Sequence, residues 1–451
     1  MVVGDTIAAI ATAPGRGGIA VVRVSGPEAL EIAAKLTGRT PAIGRAVFAR
    51  VASCSRGSGD SRSSGGSGKS IIDTGLLLAF KSPHSYTGED VVEFQCHGGI
   101  ITPRRVLKAC LAAGARLARR GEFTERAFLN GRVDYDQAES VLNLIDAKTA
   151  RAADAALEGL AGRRRRECRA LYEQALELST RLEHALDIDE GELPADFLSS
   201  INSQLSMLNS QLRTAIRRAA EGQLLRRGAL VVLAGPPNAG KSSLLNVLLG
   251  EHRAIVSEVP GTTRDTIEAW IDLDGWPIRL VDTAGLRETK DEIEGEGVRR
   301  SEDQIAQADV VVLLGGCEVE QLRSCGRSQP LDFSTSRLLN VHSKCDLGRG
   351  EGLNVSAKTG EGLNDLKRAI VAKLEEKVVA ADFGDSPEGD VVAYHEALAQ
   401  LSPHLSSPPR LDLVLLANAV RGAAERLGAA VGATYSADLL DKLFSRFCVG
   451  K

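Results

Sequence analysis

Residues 229–250, ALVVLAGPPNAGKSSLLNVLLG, carry the densest chemistry in the chain. An apolar run of strand type leads into Gly235-x-x-x-x-Gly240-Lys241-Ser242, and a helical pattern follows. Glycines at that spacing let backbone N–H groups turn inward around phosphates, and the helix N-terminus behind them adds its positive end. There Lys241 is expected to reach the β- and γ-phosphates, and the Ser242 hydroxyl to bind magnesium. Further pieces follow in a fixed order. PGTTRD (260–265) supplies Thr262 and Thr263 on a loop, where one hydroxyl completes a magnesium shell. IRLVDTAGL ends a strand at Asp282, a carboxylate suited to the metal's water, and Gly285 leaves a backbone N–H to face the γ-phosphate.

Two later stretches, HSKCD (342–346) and VSAKTG (355–360), each come after a strand-like run. Asp346 is placed to accept the N1–H and the amino group of guanine, neither of which adenine offers, and the Ala357 N–H to read O6. The usual first letter of this loop is Asn; here it is Ser343, too short to copy the extra contact. One such hydrogen bond is worth about 0.5–1.5 kcal/mol net, less than the whole guanine preference. The expectation is a guanine site, and whether Ser343 weakens it stays open. Leu286 follows DTAG, so no glutamine of the Ras type positions water. The sequence identifies no arginine finger either, and another group must neutralise charge on the phosphates. Asn238, inside the phosphate loop, is a candidate ligand for a monovalent cation.

These motifs need a scaffold. Residues 229–375 alternate buried strands with helices, as in a parallel sheet of an α/β domain. Residues 1–120 mix β-branched runs such as GIAVVRVSG with helical stretches, which predicts an α+β domain. Within them, the Ser/Gly-rich segment 53–70 cannot bury a core and reads as a surface insertion, its SGKS a compositional accident. From 121 to 220 the pattern turns helical. Leu171, Ala175, Leu178, Leu182 and Ala185 recur at helical spacing, as do Ile201, Leu205, Leu208, Leu212 and Ile216. The acidic DIDEGELPADF separates these two helices, and the run Arg163–Arg166 reads most simply as a solvated helix face. After SPEGD (386–390) the chain is helical again, so the α/β unit is expected as an insertion in one helical domain. The expected order is 1–120 α+β, 121–225 helical, 226–378 phosphate-binding and 379–451 helical.

With 451 residues the chain is long for one domain; 43% hydrophobic and 25% charged residues are values of a globular protein. A net charge of −4 neither favours nor excludes a nucleic-acid partner. Eight scattered cysteines without a CxxC pair favour reduced thiols over disulfides or zinc. No run of about 20 apolar residues is present and the N-terminus has no signal-peptide pattern, so a cytoplasmic protein with no membrane contact is expected.

Beyond the middle motifs, DTIAAIATAPGRGGIAVVRVSG, SYTGEDVVEFQCHGG, GEFTERAFLNGRVDYDQAES, GPPNAGKSSLLN, PGTTRDTIE, DTAGLRET and the terminal FCVGK closely resemble the MnmE (TrmE) family of tRNA modification GTPases. That family lies within the TrmE-Era-EngA-YihA-Septin-like superfamily. The resemblance runs from residue 5 to Lys451. It implies a multidomain α/β plus α fold: an N-terminal α+β folate-binding and dimerising domain, a helical domain, and an inserted P-loop GTPase domain. It implies a cytoplasmic homodimer that works on tRNA with an MnmG (GidA)-like flavoprotein, in a heterotetramer or larger complex. The pair adds an aminomethyl or carboxymethylaminomethyl group to carbon 5 of the wobble uridine. A tetrahydrofolate derivative, 5-formyl or 5,10-methylene, supplies the carbon, and FAD and NADH belong to the partner. Potassium replaces an arginine finger.

By the same resemblance, the GTP-binding positions fall on Asn238, Ala239, Gly240, Lys241, Ser242 and Ser243 in the phosphate loop. They continue through Ser257, Glu258, Val259, Pro260, Gly261, Thr262 and Thr263, then Asp282, Thr283, Ala284 and Gly285. The base-reading set is Ser343, Lys344, Asp346, Ser356, Ala357 and Lys358. Ser242 and Thr263 match magnesium ligands. Potassium falls to the Asn238 side chain, the Ser257 and Val259 carbonyls, and Thr262. Glu294 aligns with the glutamate that orients the attacking water; its alternative is a solvated acidic face. With it, Asn238 and Lys241 make up the catalytic set.

Arg23, Glu93, Arg132 and Lys451 match the folate positions, and a glutamate-tailed pterin suits such charges. Cys448 matches the family's cysteine tied to the modification step, with a buried apolar role equally open. His97, in CHGG, reads as a structural hydrogen-bonding residue. The chain departs from the pattern at Ser343, at Arg120 (usually Pro), at Arg132 (commonly Lys) and over 315–336. Two alternatives stay open: an Era- or EngA-like ribosome-assembly GTPase, and a regulatory switch that binds GTP with negligible hydrolysis.

Overall fold

The computed structural model describes residues 4–53, 70–187, 193–236, 238–251, 269–282, 304–315, 337–380, 390–405, 413–432 and 444–450. Contacts divide the chain into two compact units, one formed by 1–142 with 434–451 and the other by 143–433.

The first unit holds β1 (Ile7–Ile10), β2 (Ile19–Ser25), α1 (Ala29–Thr37), β3 (Val47–Ala52), β4 (Ile71–Phe80) and β5 (Val91–His97). Then come α2 (Ile101–Ala112), β6 (Arg116–Leu117), α3 (Glu122–Leu129) and α4 (Tyr135–Asp146), whose last turn passes into the second unit. Its sheet runs β3-β4-β5-β2-β1-β6, antiparallel except for the β1–β6 pair. Alternation on β2 and β5 turns Val22, Val24, Val92 and Phe94 into a core that α1 and α2 cover. The Ser53 amide donates to the Ser70 carbonyl at 2.9 Å, so the β3–β4 ladder continues to the edge of the Ser/Gly segment, whose residues 54–69 lie outside the described residues.

The C-terminal segment belongs to this unit. Phe444 and Phe447 are buried with Ala138 and Leu142, against Phe128 and Tyr135. Arg120 donates through Nε to the Phe447 carbonyl at 2.9 Å and forms an antiparallel bridge with Val449. Gly450 has φ +106, and a Cβ there would stand 2.3 Å from the Ile10 carbonyl oxygen, so only glycine fits this approach to β1.

The second unit has α5 (Ala150–Leu160), α6 (Arg163–Leu186), α7 (Phe197–Arg227), β7 (Ala229–Ala234), α8 (Lys241–Glu251), β8 (Ala269–Leu273) and β9 (Trp276–Asp282). It continues with β10 (Val310–Leu314), β11 (Leu338–Ser343), β12 (Leu353–Val355), α9 (Leu363–Ala380), α10 (Asp390–Leu405) and α11 (Leu413–Val431). All ten stripe residues of α6 and α7 are buried, and all but Ala185 share one core with Ala397 and Leu401 of α10 and Leu416, Val420 and Leu427 of α11. Helices from before and after the sheet therefore share a bundle. The sheet order is β12-β11-β10-β7-β9-β8, parallel except for the β8–β9 hairpin. Every residue of β7 and β10 is buried, as both faces of the sheet are covered.

One carboxylate fastens both crossings between bundle and sheet. Asp309, just before β10, accepts from Arg227 at the end of α7 (2.7 Å) and from Lys377 near the end of α9 (2.6 Å). Its second oxygen accepts the Leu230 amide at 2.8 Å. Within the arginine run at the start of α6, Arg163 pairs with Glu158 and Arg166 donates to the Ala161 carbonyl. Among the described residues no helix is long and apolar enough to cross a membrane.

Candidate functional site

The carboxyl ends of β7, β9, β11 and β12 gather the phosphate and base motifs at one end of the sheet. The loop after β7 turns through Gly235 and Asn238, the latter at φ +62, a conformation that Asn tolerates better than most residues. Lys241 opens α8. It is buried and donates through Nζ to the carbonyls of Gly235 and Pro236, both at 2.9 Å, so its ammonium lies across the mouth of the loop. Ser242, one residue on, donates through Oγ to Asp282 Oδ2 at 2.7 Å, bringing the head of α8 to the end of β9. A hydroxyl and a carboxylate side by side are the hard oxygen donors that magnesium takes beside phosphate.

The stretches expected to read the base follow β11 and β12. Ser343 ends β11, opposite Val355 of β12. Lys344 follows at φ +60, and its Cε stands 4.0 Å from where a Cβ on Gly240 would be, so its aliphatic stem reaches the phosphate loop. Asp346 Oδ1 accepts from Ser356 Oγ at 2.7 Å. That bond, outweighing desolvation, with backbone and lysine charges assisting, holds the carboxyl below its ordinary range. Ser356 is fully buried and its Oγ also accepts the amides of Lys358 and Thr359 at 3.3 Å. The 346 and 356–358 segments are thus locked together, with Asp346 ionised at neutral pH. Ala239 and Ser243 lie on the loop and first turn of α8, flanking these groups.

In the N-terminal unit, Arg23 on β2 and Glu93 on β5 sit opposite each other in register and pair at 2.8 Å. The Arg23 guanidinium lies 5.5 Å from the Tyr86 ring centre and 5.7 Å from that of Phe123. Burial pushes the Tyr86 phenol above its ordinary range, against the opposing pull of Thr124 and Arg23, and its hydroxyl stands 2.9 Å from Thr124 Oγ1. Arg132 donates to the Ser85 carbonyl at 3.2 Å, on the same strip of chain as Tyr86. Paired charges beside aromatic faces suit a flat, hydrogen-bonding ring with an anionic tail. Tyr86 and Phe123 escaped the reading of charges from sequence; their signal was only their place in SYTGED and GEFTER. Cys448 is exposed, and its carbonyl lies 3.4 Å from the Gly121 amide. His97 pairs with Asp73 at 2.8 Å through Nδ1 while its own amide holds the other carboxylate oxygen. Ser257, Glu258, Val259, Pro260, Gly261, Thr262, Thr263, Thr283, Ala284, Gly285, Glu294 and Lys451 lie outside the described residues.

The profile for the "GTP-binding protein TrmE N-terminus" matches residues 6–132, and that for the "MnmE helical domain" matches residues 136–448. A tRNA modification GTPase MnmE of Symbiobacterium thermophilum is 42% identical, covering 99% of both chains, and one of Stutzerimonas stutzeri is 40% identical over the same shares. The chain belongs to the MnmE family of tRNA modification GTPases. Its MnmE N-terminal part is the antiparallel sheet with α1 and α2, and its MnmE helical part encloses the parallel sheet. Among solved structures, the G domain of the T. maritima FeoB iron transporter is similar at 26% identity and a TM-score of 0.23, covering 32% of this chain and 98% of that one.

Proposed function

We propose that this MnmE-family chain hydrolyses GTP with magnesium and potassium, and that the hydrolysis serves addition of an aminomethyl or carboxymethylaminomethyl group to carbon 5 of a tRNA wobble uridine. The partner in that reaction is an MnmG-like flavoprotein holding FAD and using NADH, and the working form is a homodimer within a larger complex in the cytoplasm. The observation that carries the GTPase part is the Ser242–Asp282 contact beside the Lys241 ammonium. Full-length relation to tRNA modification GTPases carries the rest.

In this reading Lys241 neutralises the β- and γ-phosphates. Ser242 and Thr263 hold magnesium, with Asp282 fixing its water. Potassium, held by Asn238 together with Ser257, Val259 and Thr262, supplies the positive charge that an arginine finger supplies elsewhere. Glu294 orients the attacking water. Asp346 reads the guanine N1–H and amino group, and its bond to Ser356 keeps it an ionised acceptor. Arg23, Glu93, Arg132 and Lys451 hold a tetrahydrofolate derivative, with Tyr86 and Phe123 beside it. Cys448 is reserved for the modification step.

Phosphate release by the purified chain, with GTP or ATP, in potassium chloride and in sodium chloride at equal ionic strength, tests the core of this reading. The expected result is hydrolysis of GTP alone, strongly faster in potassium. Slow turnover indifferent to the cation would overturn the catalytic assignment and favour a binding switch. Equal use of ATP would mean that Ser343 has removed base selectivity.

A further inference from the structure

The β8–β9 hairpin joins the two stretches expected to sense the γ-phosphate. PGTTRD precedes β8 in sequence, and β9 ends at Asp282, the first residue of DTAG. Its two-residue turn, Asp274-Gly275, has φ +50 and +85, both positive as in the tight turn whose twist matches the paired strands. The Asp272 carboxylate accepts the Gly275 amide at 2.7 Å and stiffens it. This turn lies on the start of α5, far from the phosphate loop along β9, which at about 3.3 Å per residue spans roughly 20 Å.

Three contacts make the junction. Thr149, the N-cap of α5, accepts the Ala152 amide at 3.2 Å and donates its hydroxyl proton to the Gly275 carbonyl at 2.8 Å. The Arg151 guanidinium stacks 4.1 Å from the centre of the buried Trp276 ring. The same guanidinium donates to Glu221 of α7, through Nη2 at 2.6 Å and Nε at 3.2 Å. Any side chain on Gly275 would stand 3.0 Å from Arg151 Cβ, so the turn and the helix touch directly.

We infer that Arg151 is a positioning residue that couples the nucleotide state to the helical bundle, by binding the hairpin between the two γ-phosphate-sensing stretches to α5 and α7 at once. A strand pair that shifts at its phosphate end shifts at its turn, because the ladder is inextensible. At the turn the Thr149–Gly275 hydrogen bond ties the hairpin to α5, and Arg151 reaches on to α7: a cation held to an aromatic face on the sheet side and to a carboxylate on the bundle side. Arg suits this double duty, since its planar fork stacks and donates simultaneously. Neither Arg151 nor Glu221 is placed to touch nucleotide. The inference rests on the reading of residues 235–242 and Asp346 as a GTP site.

The test is hydrogen exchange of the full chain with GDP and with a non-hydrolysable imido analogue of GTP, alongside binding of each nucleotide by titration. In the natural chain, exchange across 149–160 and the end of α7 is expected to differ between the two nucleotides by roughly 5-fold or more, a usual size for coupling between sites. Arg151→Ala is expected to bind both nucleotides within about 3-fold of the natural chain (below the usual coupling range) while losing that difference. Arg151→Lys, which keeps a cation over Trp276 without the fork to Glu221, is expected to restore part of it. A nucleotide-dependent difference that survives Arg151→Ala, or is absent from the natural chain although both nucleotides bind, would overturn the coupling alone. Failure of the natural chain to bind guanine nucleotides would overturn the GTP-site reading and this inference with it.

Discussion

Ser242 Oγ and Asp282 Oδ2 meet at 2.7 Å although 40 residues separate them, and they join the first turn of α8 to the last residue of β9. The contact sets a hydroxyl and a carboxylate side by side, the hard oxygen donors that the proposed magnesium site calls for. Ser242→Ala and Asp282→Asn should each lower magnesium-dependent GTP hydrolysis by roughly 10- to 100-fold, as losses at inner and outer metal shells do. Phosphate release across a magnesium titration checks this. Loss of activity that high magnesium fully restores would point to weakened binding rather than impaired chemistry.

Base choice should respond to Asp346 and Ser343 separately. Asp346→Asn exchanges an acceptor for a donor, so xanthosine triphosphate, whose C2 carries an oxygen, should replace GTP as the preferred ligand. Ser343→Asn restores the longer side chain and should tighten GTP binding by roughly 2- to 10-fold, the worth of one net hydrogen bond. Competition binding with a fluorescent guanine nucleotide reads both effects.

The clasp at Asp309 should govern stability. Burial alone would raise this carboxyl, but Arg227, Lys377 and the Leu230 amide outweigh it and hold it below the usual range. A depressed carboxyl contributes stability that is present above its unfolded value of about 4 and is lost as pH falls through the folded one. The contribution should therefore be intact at pH 7 and vanish in acid. Asp309→Ala, which leaves two cations without their shared partner, should cost about 3–5 kcal/mol at neutral pH. Denaturant titrations from pH 7 downward should show the gap between natural chain and variant closing as the carboxyl protonates.

Thiol chemistry should separate Cys448 from the core cysteines. Cys448 is exposed, whereas Cys96, Cys110, Cys168 and Cys345 are buried. Burial, with the nearby Asp73 charge, pushes the Cys96 thiol up to about 11, so little thiolate exists there near neutrality. Brief alkylation of the folded chain followed by site-resolved mass spectrometry should label Cys448 and leave Cys96 and Cys110 protected until denaturant is added. Labelling of Cys96 at a rate equal to Cys448 would contradict this packing.

The sequence by itself determined whatever depends on local spacing. Gly235 to Ser242 read as a phosphate loop because its chemistry lies within eight consecutive residues, between a strand and a helix. The stripes of α6 and α7 declared their buried faces because a helix repeats every 3.6 residues, and all ten residues are buried. Tertiary structure alone decided what brings distant residues together. The hydrogen bond from Arg120 to the Phe447 carbonyl spans 327 residues, and no spacing or periodicity within FCVGK says which backbone groups the tail meets. Arg227 and Lys377 look like ordinary surface charges at helix ends until Asp309 is found between them. Arg151, Trp276 and Glu221 carry no shared motif, for their relation exists only where α5, β9 and α7 cross. Periodicity and motif spacing follow from the covalent chain; the partners of a charge or an aromatic face follow from packing.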